Sequence, residues 1–298
     1  AAGAERIFEV LHYEQEINEV PDADLPEVVR GAIEFRNLTF NHPGAARPTI
    51  NDVSFSIKSG ETVAVLGRVG SGKSTLLKAV VRLIDTPRGN VFIDDIDICD
   101  YPVQGLRETC TLVPQDPFLF STTLRENLTY DNPDREEHLI KDAADAAGLT
   151  SAIADFNDGL DTMVGERGQT LSGGQKQRST LARGLVRNSP ILLLDDCFSA
   201  VDTETEERIL SGLSRMRSDK TTILISHRVS TARHANRIFI IDNGRITESG
   251  THEELIALGG YYADLAAIQS DQDEDRARKS NLLHNLDDEE MTIAGGDQ

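Results

Sequence analysis

The sequence predicts an α/β fold: a mostly parallel sheet forms the core, with an antiparallel β subdomain and an inserted helical subdomain. Three observations carry this. Continuous apolar runs, "ETVAVLG" (61–67), "ILLLD" (191–195), "TTILISH" (221–227) and "RIFIID" (237–242), have the composition of strands buried on both faces. Helical stretches separate them, and alternating buried strands and helices make a largely parallel sheet. Ahead of them, "IEFRNLTF" (33–40) and "DVSFSI" (52–57) alternate apolar and polar residues, as half-covered strands do.

The elements follow in order. Residues 1–14 place Ile7, Phe8, Val10 and Leu11 on one helical stripe, and "EVPDADLPEVVRG" (19–31) reads as an extended linker with two prolines. After the run 61–67, "STLLKAVVRLID" (74–85) sets Leu76, Leu77, Val80, Val81 and Ile84 at helical spacing. "TPRGN" breaks that helix, and short strands follow around Val91 and Ile96. From about Thr122 to Arg187 the pattern is mostly helical: "TLRENLTY", "EHLIKDAADAAGLTSAIADF" and "GGQKQRSTLARGLVRN". Asn243-Gly244 forms a hairpin into "RITESG" (245–250). Past Ser270 the chain is acidic and poor in large apolar residues, the composition of a disordered tail. The expected organisation is a helix and linker (1–30), one domain (31–269, helical subdomain about 117–187) and a tail (270–298).

Composition removes several function classes. The net charge of −20 argues against nucleic acid as a partner, because binding a phosphate backbone needs a basic footprint. The three cysteines follow no metal-ligand spacing and are too few for a disulfide scaffold. No apolar run approaches the roughly 20 residues that span a bilayer. The acidic, amphipathic start is no signal peptide, and a chain that begins mid-helix without methionine is expected to be a piece of something longer.

The chemistry begins at "GRVGSGKST" (67–75), which fits G-x-x-x-x-G-K-[ST] between a buried strand and an amphipathic helix. This is a P-loop, and the expected core is a P-loop (RecA-like) one. Gly67, Gly70 and Gly72 let the backbone wrap closely around phosphates, with Arg68, Val69, Ser71 and Thr75 completing the loop. Lys73 supplies charge for the β- and γ-phosphates, and Ser74 offers its hydroxyl to Mg²⁺. A P-loop also needs a metal-binding acid at the end of a neighbouring strand, and Asp195 stands there. These residues mark a P-loop nucleotide hydrolase with Mg²⁺, which leaves many activities open. A second anion site is expected at "LSGGQKQR" (171–178), where Ser172 caps a helix opening at Gly173, Gly174 and Gln175. One P-loop does not need two triphosphate sites, so the second is expected to close over the nucleotide of a partner subunit.

With that signature the stretch from about Gly31 to Gln269 resembles the nucleotide-binding domain of ATP-binding cassette (ABC) transporters. The resemblance implies ATP as the nucleotide, and roles for further residues. Gln115 in "LVPQDPFLF" matches the Q-loop, which senses Mg²⁺ and the attacking water and touches the membrane domain. "SAVD" (199–202) matches the D-loop, which crosses to the other subunit. His227 in "ISHRVS" matches the switch histidine at the γ-phosphate. "TMVGERG" (162–168) resembles the X-loop of exporters, and "AGAERIFEVL" looks like the segment leaving their last membrane helix. The implied setting is the cytoplasmic face of a membrane, joined to a transmembrane domain through coupling helices near Gln115 and the 162–168 loop.

Two positions depart from the family pattern. His42 in "LTFNHPG" stands where a tyrosine normally stacks on adenine; it is either a smaller stacking surface or a plain loop histidine. Asp196 stands where hydrolytic sites carry a glutamate, with the same chemistry one methylene shorter, so slow hydrolysis is expected at this site. An intact signature beside a handicapped carboxylate predicts one half of an asymmetric pair, and a homodimer that tolerates aspartate is the alternative. Two other readings stay open: an ATP-gated regulatory domain with little hydrolysis, and a non-transport ABC ATPase. The last should show a coiled-coil insertion, a second cassette or a basic face, and the sequence has none of these.

Overall fold

The structure, a computed structural model, describes residues 2–12, 17 and 25–272. Helix α1 (Ala2–Leu11) stands at the start, with Ile7 and Phe8 exposed. The first part of the expected linker (19–24), and the expected tail from residue 273, lie outside the described residues. Strand β1 (Ile33–Phe40) pairs antiparallel with β2 (Ile50–Ile57) and with β4 (Val91–Ile93), and β4 with β5 (Ile96–Asp97), giving the order β2-β1-β4-β5. The Asp94 carboxylate accepts from the consecutive amides of Arg30, Gly31 and Ala32 at 2.6, 3.1 and 2.8 Å, which fixes the chain's entry into this sheet.

The second sheet is the core expected from the apolar runs. Strands β3 (Thr62–Leu66), β6 (Cys110–Val113), β7 (Ile191–Asp195), β8 (Thr221–Ile225) and β9 (Arg237–Asp242) run parallel, and β10 (Arg245–Gly250) returns antiparallel at the edge. The order is β10-β9-β3-β8-β7-β6. Along β3, Val63 and Val65 join one core cluster while Ala64 and Leu66 join the other; β7 divides Ile191 and Leu193 from Leu192 and Leu194 likewise. Successive side chains point to opposite faces, and both faces are covered, so the strands read as unbroken apolar runs.

One face carries the β subdomain and α2 (Lys73–Val80), with α3 (Val103–Thr109) feeding β6. The other face carries α4 (Leu124–Leu128), α5 (Glu137–Ala146), α6 (Thr150–Asp155), α7 (Gly173–Val186), α8 (Thr203–Met216) and α9 (Val229–Ala232). Then come α10 (His252–Leu258) and a last helix over 261–272.

Several expectations shift. The helix expected over 74–85 stops at Val80, because Arg82 adopts a left-handed φ of 46°. Arg82 N donates to Ala79 O and Leu83 N to Lys78 O, a Schellman closure that leaves Val81 and Ile84 packing from a turn. The helical run 137–156 is two helices broken at Gly148, whose φ is +63°. Strand β8 ends at Ile225, so Ser226 and His227 lie on the loop beyond it. The last helix passes the expected tail boundary at 270 and continues to 272.

Candidate functional site

Strand β3 delivers the P-loop to the carboxyl edge of the sheet, where β7 and β8 also end. Its three glycines do different work. A Cβ on Gly67 would stand 2.0 Å from Ile241 O, and one on Gly72 would stand 2.5 Å from Thr49 O, so these two allow close packing on the protein's own backbone. Only Gly70 opens into free space, at a φ of +81°. Gly67 and Gly72 thus seat the loop on its own fold, while Gly70 leaves open space beside it.

Lys73 Nζ donates to Gly67 O and Arg68 O, both at 2.8 Å, and burial pulls its pKa below the ordinary lysine value. Ser74 Oγ donates to Asp195 Oδ1 at 2.9 Å, bringing together two of the three expected Mg²⁺ positions, from α2 and β7. Ser71 Oγ is buried with no hydrogen-bond partner among the described residues, and Val69 is fully exposed at the loop's tip. An orphaned hydroxyl, an open glycine and a hydroxyl–carboxylate pair beside an ammonium form a donor set that fits a nucleotide phosphate with Mg²⁺.

Asp196 takes a left-handed backbone, φ 45°, which aspartate tolerates better than most residues. Its amide bonds Ile225 O at 3.1 Å. Gln115 Nε2 donates to Asp196 Oδ2 at 3.3 Å, and His227 Nε2 stands 3.8 Å from the same oxygen. The three positions singled out for hydrolysis thus converge on one atom. Burial raises the pKa of both Asp195 and Asp196 above the ordinary carboxylate range; Ser74 partly offsets this at the first and His227 at the second. His42 meets the P-loop helix through Nε2 and Thr75 Oγ1 at 3.4 Å and lies edge-on to Phe40.

The signature stretch forms the expected N-terminal cap. Gln175 N donates to Ser172 Oγ at 3.3 Å, and Ser172 N donates to Gln175 Oε1 at 2.8 Å, a reciprocal capping box opening α7. Ser172→Ala is expected to cost about 1 kcal/mol, a melting-temperature loss of roughly 3 °C by calorimetry. Gly173 and Gly174 back onto the 199–202 loop, where a Cβ on Gly174 would stand 3.0 Å from Ala200 O. No hydrogen bond joins residues 172–175 to residues 67–75 among the described residues. The 162–168 loop pairs with the stretch after Gln115: Val164 N donates to Thr122 O at 2.8 Å and Leu124 N to Thr162 O at 2.9 Å. Met163 and Phe118 are exposed there.

Some supporting residues carry no sequence signal. Buried Gln177 donates to Ser199 Oγ and accepts from Ala200 N, both at 2.9 Å, tying α7 to the 199–202 loop. Arg183 donates to Phe118 O, Asn127 O and Asn127 Oδ1, holding the segment after Gln115. A lone glutamine or arginine inside a helix has no pattern that announces its partner.

A P-loop on a mostly parallel sheet, with an acid at the end of the neighbouring strand, defines a P-loop nucleotide-binding domain. The chain belongs to the ABC transporter family, whose profile matches residues 50–199. It is 41% identical over 269 residues to YgaD of Bacillus subtilis (strain 168), named as a multidrug export ATP-binding/permease protein, covering 90% of this chain and 46% of that protein. It is 42% identical over 273 residues to an ATP-dependent lipid A-core flippase of Aromatoleum aromaticum, covering 90% of this chain and 44% of the flippase. Among solved structures, a bacterial Atm1-family ABC exporter with ATP bound matches with a TM-score of 0.85 and 38% identity, over 90% of this chain and 47% of that one. The chain has the nucleotide-binding domain of the ABC transporter family and spans less than half the length of these relatives, which are themselves named as exporters or flippases. No helix among the described residues is long and apolar enough to cross a membrane.

Proposed function

We propose that this chain is the ATP-binding and ATP-hydrolysing motor of an exporter, and that it hydrolyses slowly at its own site. The observation that carries the reading is the convergence of Gln115 and His227 on Asp196 Oδ2, beside the Ser74–Asp195 pair. In this reading the P-loop amides and Lys73 hold the ATP phosphates, and His42 lies against the adenine. Ser74, Asp195 and Gln115 hold Mg²⁺, which supplies charge neutralisation at the β- and γ-phosphates when bound. Asp196 orients the attacking water and accepts its proton, and His227 contacts the γ-phosphate.

ATP binding closes two such domains head to tail, Ser172–Gln175 of each completing the other's site. The absence of any hydrogen bond between residues 172–175 and the P-loop among the described residues is compatible with this arrangement. The domain boundaries at 31 and 269, the transmembrane partner docking near Gln115 and the 162–168 loop, and the position at the cytoplasmic face of a membrane belong to the same reading. The exporter names borne by the relatives support it. The partner is a different chain rather than a second copy, because an intact signature serves the partner while Asp196 handicaps this chain. Resolving the purified transporter's subunits by mass tests that part directly: a single polypeptide overturns it.

Titration calorimetry tests the site itself. MgATP is expected to bind the chain, and Ser74→Ala to weaken MgATP about tenfold while leaving metal-free ATP within about twofold. Equal losses with and without metal would remove Ser74 from the metal's coordination. An ATP-gated regulator that binds without hydrolysis is the second reading, favoured by the shortened carboxylate, and it predicts no measurable single turnover.

A further inference from the structure

The loop that carries His227 is held from two sides. On one side Arg228 Nη1 bonds the buried carboxylate of Glu206 and, at 3.2 Å, Val201 O. On the other side stands Gln269, on the last helix. Its Nε2 donates to His227 O at 2.7 Å, and its Oε1 accepts from Val229 N at 2.7 Å. A carboxamide carries a donor and an acceptor together, so one side chain satisfies both backbone groups that flank Arg228. Both contacts are short, and neither a carboxylate, which only accepts, nor an ammonium, which only donates, can make this pair.

The helix that presents Gln269 is anchored independently. Tyr261 N and Tyr262 N donate to the Glu248 carboxylate at 2.6 and 3.1 Å, and fully buried Tyr262 bonds His252 Nδ1 through its hydroxyl at 2.8 Å. Near that start the ring of Tyr261 lies 5.7 Å from the Arg68 guanidinium carbon of the P-loop. About two turns later the helix meets the His227 loop, while the neighbouring Ile268 is exposed. The contact with the loop backbone is made by the Gln269 amide, one turn after Leu265 and Ala266 pack on the apolar core. The helix straps across from the phosphate loop to the histidine loop.

We infer that Gln269 is a positioning residue for His227: by clamping His227 O and Val229 N it fixes the backbone from which the imidazole reaches toward Asp196. This rests on the reading of His227 as a γ-phosphate contact. The clamp touches neither the P-loop amides nor Lys73, so it acts on the chemical step and not on nucleotide binding. Gln269→Ala is expected to speed amide exchange at Val229 about tenfold or more. It should also slow single-turnover hydrolysis of MgATP by the chain about tenfold, with the dissociation constant for MgATP within about twofold of the parent. Gln269→Glu keeps an acceptor for Val229 but brings no donor to His227 O, and should be slowed as well. In a His227→Ala chain, adding Gln269→Ala should change the residual rate less than twofold, whereas a general loss of stability would slow it further. Unchanged Val229 exchange, a single-turnover rate within twofold of the parent in Gln269→Ala or Gln269→Glu, or a further loss on top of His227→Ala overturns the assignment. If His227→Ala alone hydrolyses at the parental rate, the reading of the site fails instead, and Val229 exchange still judges the clamp.

Discussion

Lengthening the carboxylate by one methylene, in Asp196→Glu, should raise single-turnover hydrolysis by the chain about 10²-fold, from a parental rate far below about 1 s⁻¹. The expectation follows from reach. Asp196 turns off the end of β7 in a left-handed conformation with its amide tied to Ile225 O, so the backbone cannot advance to bring a short carboxylate closer to a nucleotide. The neighbours of its Oδ2, Gln115 (Nε2 at 3.3 Å) and His227 (Nε2 at 3.8 Å), are both exposed side chains that can move aside for one more methylene. A glutamate at this φ costs about 1 kcal/mol of backbone strain, small beside the gain in rate. Asp196→Asn should do the opposite in two respects. Hydrolysis should vanish, because the amide cannot accept a proton from water. Stability should rise: burial holds the Asp196 pKa above its unfolded value, so the charge costs stability as pH rises through the carboxylate range, and a neutral isostere relieves that cost. Melting temperatures of the two proteins near neutral pH check the second point. An Asp196→Glu chain that hydrolyses no faster would mean that carboxylate length does not limit turnover, and the asymmetric pairing would lose its chemical basis.

How much of this could be read from the sequence depended on how local the cause was. The parallel core was legible because burial on both faces leaves unbroken aliphatic runs at 61–67, 191–195, 221–227 and 237–242. The P-loop and the Ser172 cap were legible because each closes within a few residues of chain. Helix ends were not. Val81 and Ile84 keep apolar character after α2 has stopped, since packing demands it whether or not the backbone is helical. Nothing in "VVRLI" marks Arg82 as the left-handed residue that closes the helix. The parts of the site that depend on distant polar partners were silent too. Gln177 meets Ser199 across 22 positions, and Gln269 meets His227 across 42. Such bonds are set by how helices dock on the sheet, after the local pattern has been spent. The glycine roles divided on the same line. The motif marked 67, 70 and 72 alike, whereas the fold packs the first and last against Ile241 and Thr49 and leaves only Gly70 open.

Glu206→Ala should destabilise the chain by about 3 kcal/mol, a fall in melting temperature of roughly 6–12 °C. Glu206 is 2% exposed on α8, yet carries a carboxylate, and the fold meets that charge with two partners, Arg228 Nη1 and Thr231 Oγ1. Removing the carboxylate strands the guanidinium near Val201 O with no counter-charge and opens a polar cavity beneath the His227 loop. The arginine is about one-third exposed, so water recovers part of its solvation and keeps the loss at the lower end for a broken buried pair. Glu206→Gln keeps the shape and most of the bonds without the charge, and should cost about 1 kcal/mol. The pair also bears on catalysis, because Arg228 is the residue between the two backbone groups that Gln269 clamps. Loss of Glu206 frees Arg228 on one side while Gln269 still holds His227 O and Val229 N on the other. The loop should therefore keep partial order, and Glu206→Ala assayed well below its melting point should retain a measurable single-turnover rate. Combining Glu206→Ala with Gln269→Ala should cost more rate than the product of the two single losses, since only the double variant frees the loop from both sides. Multiplicative losses would show instead that the two anchors act on His227 independently.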